Sequence, residues 1–300
     1  MVMAAITAQM VKDLRETTGC GMMDCKKALS ATDGDFDKAV DFLREKGLAT
    51  AQKKAGRIAS EGLVDILVDG NIGAMVEVNS ETDFVAKNAE FQTFVKNVAR
   101  QVIATNPADT EALLDSKFID DESVTIKDML TEKIAKIGEN MNVRRFARFE
   151  GNVVGYVHMA GRIGVMVKVE GEMTDAAKEA AKDAAMQIAA LNPLYLSKDT
   201  VPAEDVEKEK AIIIAQIKED PKNASKPDQI IEKMVGGKIN KFYEQNCLLQ
   251  QAFVKDDSVK VEKHLSDNGI KLVDFVRFEK GEGLEKKVDD FAAEVASMAK

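Results

Sequence analysis

Ile72-Gly-Ala-Met-Val-Glu-Val78 returns later in the chain as Ile163-Gly-Val-Met-Val-Lys-Val169. Both runs are dominated by β-branched and other apolar residues and read as strands. Each is followed by a helical pattern that closes on Asn-Pro. These are Ala99-Arg-Gln-Val-Ile-Ala-Thr-Asn-Pro107 and Ala185-Met-Gln-Ile-Ala-Ala-Leu-Asn-Pro193. Two matches in the same order point to a duplicated strand–helix unit, and so to an α+β fold with a core of two related subdomains. The competing explanation is chance resemblance, because aliphatic strands look alike.

The copies differ in one place. Both carry Thr-Asp at the strand–helix junction, Thr82-Asp83 and Thr174-Asp175, but Ala99 lies 16 positions beyond Asp83 and Ala185 only 10 beyond Asp175. The excess in the first copy holds Phe84-Val-Ala-Lys87, part of the run Asn79-Ser-Glu-Thr-Asp-Phe-Val-Ala-Lys87. An aromatic ring among acids and hydroxyls has two readings. Either Ser80 or Thr82 caps a helix, with Ser80-x-x-Asp83 as a capping box and Phe84 anchoring the first turn, or the ring is held out for another protein. The second copy makes its junction with Thr-Asp and no ring, so capping alone does not require Phe84.

Upstream, the first fifty residues read as three short helices. Thr7 is an N-cap, with Ile6 and Val11 as a hydrophobic staple, and Gly19 stops the helix. Gly19-Cys-Gly-Met-Met23 is a tight turn, and a second helix runs through Cys25 and Leu29 to Gly34. Asp35 caps a third helix that stops at Gly47. Leu48 to Ser60 is a basic helical connector. Leu63–Val68 and Ile72–Val78 form a hairpin through Asp69-Gly-Asn71. Helices follow at about 89–105 and near Ile126–Ile137, then a strand from Val143 to Phe149 and a turn at Gly151-Asn152. Beyond the second copy, 203–219 and 229–243 are helical about a Pro-bearing turn, which predicts a projecting antiparallel hairpin. Lys271 to Phe278 is strand-like, and Val288, Phe291, Ala292, Val295 and Met298 line an amphipathic terminal helix. The predicted divisions are 1–56, 57–142, 143–280 with an insertion at about 190–240, and 281–300.

Composition narrows the function. With 51 acidic against 42 basic residues and a net charge of -9, nucleic acid is not expected as a direct partner, since phosphate binding relies on clustered Lys and Arg. No apolar run approaches the roughly 20 residues of a membrane helix, and the Met1 end is too short and too soon charged for a signal peptide. Three cysteines, Cys20, Cys25 and Cys247, make no disulfide framework and place the chain in a reducing cytoplasm. Two histidines, His158 and His264, and no zinc spacing, phosphate loop or nucleophile elbow leave no expected metal, cofactor or enzymatic chemistry. Met is abundant, at 14 residues, which suits adaptable contact surfaces.

Some residues stand apart. His158 sits in Tyr156-Val-His-Met-Ala-Gly-Arg-Ile-Gly164, where a glycine-bracketed turn exposes it or a local hydrogen bond satisfies it. Met22 and Met23 cannot both point inward from one helix. Cys20 and Cys25 invite a redox reading, but their spacing is not Cys-x-x-Cys and a buried thiol is the plainer state.

Thr17-Thr-Gly-Cys-Gly-Met-Met-Asp-Cys-Lys-Lys-Ala-Leu29, Lys53-Lys-Ala-Gly56, Asn79 to Lys87, Ile137-Gly-Glu-Asn-Met-Asn142, His158 to Gly164, Glu232-Lys-Met-Val235 and Phe278-Glu-Lys-Gly-Glu-Gly283 together resemble the bacterial translation elongation factor Ts family. The match runs in order along the whole chain. Cys20, where the family more usually has Ala, and Ala252, where Pro is common, depart from it. The resemblance implies a guanine-nucleotide exchange factor for elongation factor Tu, GDP-bound or nucleotide-free. It implies a three-helix, ubiquitin-associated-like N-terminal domain docking on the partner's nucleotide-binding domain. The helical hairpin becomes a dimerisation module, giving a homodimer as a second expected partner. Thr82, Asp83, Phe84 and Val85 become the motif that enters near the partner's magnesium site. Arg15, Met22, Met23, His158, Met234 and Val235 become further contacts. Two other functions compete: a non-catalytic adaptor that binds through its N-terminal helices, and a thiol oxidoreductase using Cys20 or Cys25.

Overall fold

The computed structural model describes residues 6–220, 223 and 226–286. The predicted helix on Val288 to Met298 and part of the hairpin turn lie outside the described residues. The described residues form two compact units, one of residues 6–65, 76–147 and 279–286, the other of 66–75 and the described residues of 148–278.

In the first unit, α1 (Ala8–Thr18), α2 (Met22–Ala31) and α3 (Phe36–Lys54) enclose Val11, Leu14, Cys25, Ala28, Leu29, Ala39 and Leu43. Thr7 caps α1 by accepting from Met10 N, Gly19 ends it in the left-handed region at φ 65°, and Asp35 caps α3 by accepting from Lys38 N. Gly47 does not stop α3, which continues through it to Lys54. A side-chain carbon at Gly47 would lie 3.6 Å from the Ala135 methyl, so this glycine marks close approach to α7 (Ile126–Ile137). The basic connector is thus largely the second half of α3.

A hairpin of β1 (Glu61–Asp69) and β2 (Ile72–Ser80) then turns on Gly70-Asn71. After it come a single helical turn, α4 (Asp83–Ala86), then α5 (Ala89–Thr105) and α6 (Thr110–Asp115). The small pair β3 (Lys117–Phe118) and β4 (Asp121–Thr125), α7 and β5 (Met141–Glu150) complete the first series, and β5 lies beside β2 in the order β1-β2-β5. Buried Phe91, Phe94, Val95, Val98, Ala99 and Val102 give α5 its inward face.

The chain then runs through the same series again. β6 (Asn152–His158) and β7 (Ile163–Gly171) pair antiparallel from Asn152 opposite Val169 to His158 opposite Ile163. They are followed by α8 (Asp175–Leu191), the small pair β8 (Ala252–Phe253) and β9 (Asp256–Lys260), α11 (Val261–Asp267) and β10 (Ile270–Glu279). The second sheet has the order β10-β7-β6, so in each copy the last strand lies beside the second strand of the hairpin. The alanine-rich face of α8 packs with Val165, Val167, Val169, Leu248, Val261, Leu265 and Leu272 into one core.

Between α8 and β8 the second copy carries α9 (Ala203–Glu219) and α10 (Asp228–Asn246), which pack through Ile213, Ile217 and Ile239. The base of this helical pair is fastened by backbone hydrogen bonds from Leu194 N and Tyr195 N to Asn246 O and from Leu248 N to Tyr195 O.

Candidate functional site: the turn after β2

Strand β2 ends at Ser80, and the next residues form a held turn rather than a capped helix. Thr82 occupies the N-cap of α4 with extended backbone, but its side chain accepts no capping hydrogen bond. Its hydroxyl donates instead to Glu139 Oε1 at 2.6 Å, and its backbone N–H donates to Glu139 Oε2 at 3.0 Å. One residue earlier the arrangement is reversed: Glu81 Oε1 accepts from the backbone N–H of Asn140 at 2.6 Å. Ser80 Oγ donates to Thr82 O at 3.0 Å, so Ser80 makes no capping box with Asp83. The true cap of α5 is Asn88, whose side chain accepts from Glu90 N and Phe91 N. In the second copy Thr174 caps α8 directly, accepting from Ala177 N. The length that separates the copies is therefore the turn of α4 and its exit.

That turn divides two neighbouring apolar residues. Val85 is 5% exposed and fixes α4 to the core, whereas Phe84 is 77% exposed. The anchoring role considered for the ring falls to Val85 instead. Asp83 and Lys87 flank Phe84 and pair at 2.8 Å, and Lys87 Nζ lies 5.6 Å from the ring centroid. The Lys87 hydrogen bond, outweighing partial desolvation, holds the Asp83 carboxyl below its ordinary range.

The other candidate residues fall in separate places. Arg15 is exposed on α1, and Met22 and Met23 open α2 at 53% and 66% exposure, so both methionines face outward. His158 ends β6, where its Nδ1 lies 2.8 Å from Tyr156 Oη. The adjoining turn holds Met159 and Ala160 at φ 49° and 52°, a left-handed conformation that is costly for residues with a side chain. Met234 and Val235 are half-buried against the Ile213, Ile217 and Ile239 cluster. Cys25 is fully buried, and burial pushes its thiol up; burial drives Cys247 to about 11. A raised thiol is a poor nucleophile at neutral pH. Among the described residues no group of three or more His, Cys, Asp and Glu side chains is placed to hold a metal ion, and no helix is long and apolar enough to cross a membrane.

Glu81, Glu139, Asn140 and Lys87 were not singled out from sequence as functional. Glu81 and Lys87 lie within the run Asn79 to Lys87, and Glu139 and Asn140 within Ile137 to Asn142, but nothing in the spacing tells that Glu139 faces Thr82.

Residues 81–282 match the family model of elongation factor Ts. The chain is 51% identical to an elongation factor Ts of Clostridium kluyveri and 50% identical to one of Clostridium botulinum, each alignment covering 97% of both proteins. The chain belongs to the elongation factor Ts family. Membership makes it an elongation factor of protein biosynthesis and puts the turn after β2, where the match begins, inside the family's shared region.

Proposed function

We propose that this elongation factor Ts family member promotes GDP release from elongation factor Tu during translation elongation, and that it does so by binding rather than by covalent chemistry. The observation that carries the reading is a phenylalanine ring 77% exposed on a turn fixed from both sides by carboxylates. An aromatic ring held out on a fixed turn is the kind of anchor that fills a pocket in a partner protein.

Exchange needs only differential affinity. A factor that binds nucleotide-free elongation factor Tu more tightly than the GDP complex weakens GDP by the same ratio. Phe84 acts as a wedge: packed elements answer an inserted ring by discrete rearrangement. Asp83 enters beside it, and disturbance of the magnesium ion removes charge neutralisation from the nucleotide's phosphates. Thr82 and Val85 hold the wedge at its base.

Residues 1–56 act as the ubiquitin-associated-like docking domain, with Arg15, Met22 and Met23 as its contacts. His158 meets the partner from the β6–β7 turn, and Met234 and Val235 from the hairpin, which also serves as a dimerisation module. The core divides at about 57–142 and 143–280.

The test is release of a fluorescent GDP analogue from elongation factor Tu. Wild-type protein is expected to accelerate release and Phe84→Ala to lose most of that effect. An unchanged release rate with wild type overturns the exchange reading. Full activity of Phe84→Ala overturns the wedge, and binding without any acceleration by wild type, lost on deletion of residues 1–56, supports the adaptor instead.

A further inference from the structure

We propose that Glu139 and Glu81 are positioning residues of the Phe84 wedge, a reading that rests on the exchange function above. A four-residue helix has no stability of its own, because helix nucleation is unfavourable, and α4 contains only Asp83 to Ala86. Phe84 contributes little burial to hold it. What holds it is Val85 from below, the Gln92 amide donating to Ala86 O at 3.0 Å, and a pair of crossed carboxylate contacts with the α7–β5 turn. Glu139 accepts both the hydroxyl and the N–H of Thr82, and Glu81 accepts the N–H of Asn140. Hydrogen bonds to a carboxylate are shorter and stronger than neutral ones.

The receiving turn is itself fixed. Gly138 ends α7 in the left-handed region at φ 85° and its carbonyl accepts from Lys54 Nζ. Asn140 is buried, and its side-chain amide donates to Arg57 O at 2.7 Å. Arg57 also pairs with Glu81 at 3.5 Å. The wedge is thus referred through Glu139, Asn140 and Glu81 to the end of α3 and the α7–β5 turn. A ring presented on such a frame is ordered before it meets a partner, so docking does not have to supply that ordering. In the copy without a ring, the corresponding turn between α11 and β10 is Asn268-Gly269, which has no carboxylate to receive a threonine.

The test measures GDP-analogue release from elongation factor Tu against factor concentration for full-length wild type, Glu139→Ala, Glu139→Gln, Phe84→Ala and the double variant Glu139→Ala/Phe84→Ala. Glu139→Ala is expected to lower the maximal release rate by about tenfold or more, up to the roughly hundredfold cost of misplacing a pre-oriented group by about 1 Å. Glu139→Gln should recover most of it, because its amide oxygen still accepts from Thr82 N. In the Phe84→Ala background, Glu139→Ala should change nothing further. Wild-type rates in Glu139→Ala, or an equal loss in both backgrounds, overturn the positioning role while leaving the exchange reading intact. Failure of wild type to accelerate release removes the exchange reading itself. If Glu139→Ala does not fold, Thr82→Val removes the hydroxyl donor alone. It should show the same dependence on Phe84, and independence of Phe84 overturns the proposal.

Discussion

Phe84 and Val85 are neighbours with opposite jobs, and substitution separates them. Val85→Ala should cost about 2 kcal/mol by lost burial and the cavity it leaves, while Phe84→Ala, on an exposed ring, should stay within about 0.5 kcal/mol. Urea denaturation of the two variants checks this. Exchange activity should rank them the other way. Lys87 sets the state of Asp83 beside them. Lys87→Ala should let the Asp83 carboxyl rise toward its ordinary value of 3.8, which a carboxylate titration followed by NMR would show. The sign follows from linkage: Asp83 is held low in the folded protein, so its pairing with Lys87 stabilises above the ordinary carboxylate range and is lost as pH falls. Much of this was legible. Comparing the two copies isolated Phe84 to Lys87 as length that the fold did not require. Glu139 was not legible, because it reaches Thr82 from 57 residues away and a contact made across a fold leaves no spacing behind.

At the level of elements, the longer helices and the echoed strands were visible as periodic runs, while the short helices α4, α6 and α11 and the strands β3, β4, β8 and β9 were not, each of these being a strand of two to five residues. Nothing that short sustains an alternation. Gly47 departs from the expected helix stop for a physical reason. A glycine late in a helical pattern usually signals a C-cap, yet here it is buried mid-helix where α3 meets α7. The distinction is testable. At Gly47 an added carbon meets Ala135 at 3.6 Å, an ordinary contact, and the backbone is helical. Gly47→Ala should therefore stabilise by about 0.5–1 kcal/mol through reduced backbone entropy. Gly47→Leu should instead destabilise by about 1–3 kcal/mol through overpacking. A cap would behave differently, since alanine in a left-handed position loses stability. Thermal melts of the two variants decide it.

Across the whole chain, the two copies agree in the order of their strands and core helices and depart where one carries the wedge and the short α6 and the other the helical hairpin. Their echoed strands also part in charge at one position, Glu77 against Lys168, and the structure shows what Glu77 is for. It is fully buried and receives Arg144 at 3.0 Å, Arg145 at 2.6 Å and the backbone N–H of Gly281 at 2.8 Å. Residues 279–283 are thereby latched to β2 and β5 within the first unit. Gly281 sits at φ 69°, and a side-chain carbon there would fall 2.2 Å from Ser60 O, so Gly281→Ala should break the latch sterically. Burial works to raise the Glu77 carboxyl, but hydrogen bonds from Gly281, Asn79 and Arg145, with the arginine's charge, outweigh it and hold the group below its ordinary value of 4.5. A carboxyl lowered in the folded state contributes stability above the unfolded value and loses it as pH falls through the folded one. Glu77→Gln should therefore be less stable than wild type at neutral pH by about 2 kcal/mol, on the low side for a broken buried pair because both arginines keep some solvent. The deficit should shrink on acidification from about pH 5 downward, as wild type gives up the same charge. Denaturant midpoints for both proteins across that range test it: a constant gap would mean that Glu77 supports the latch by shape alone.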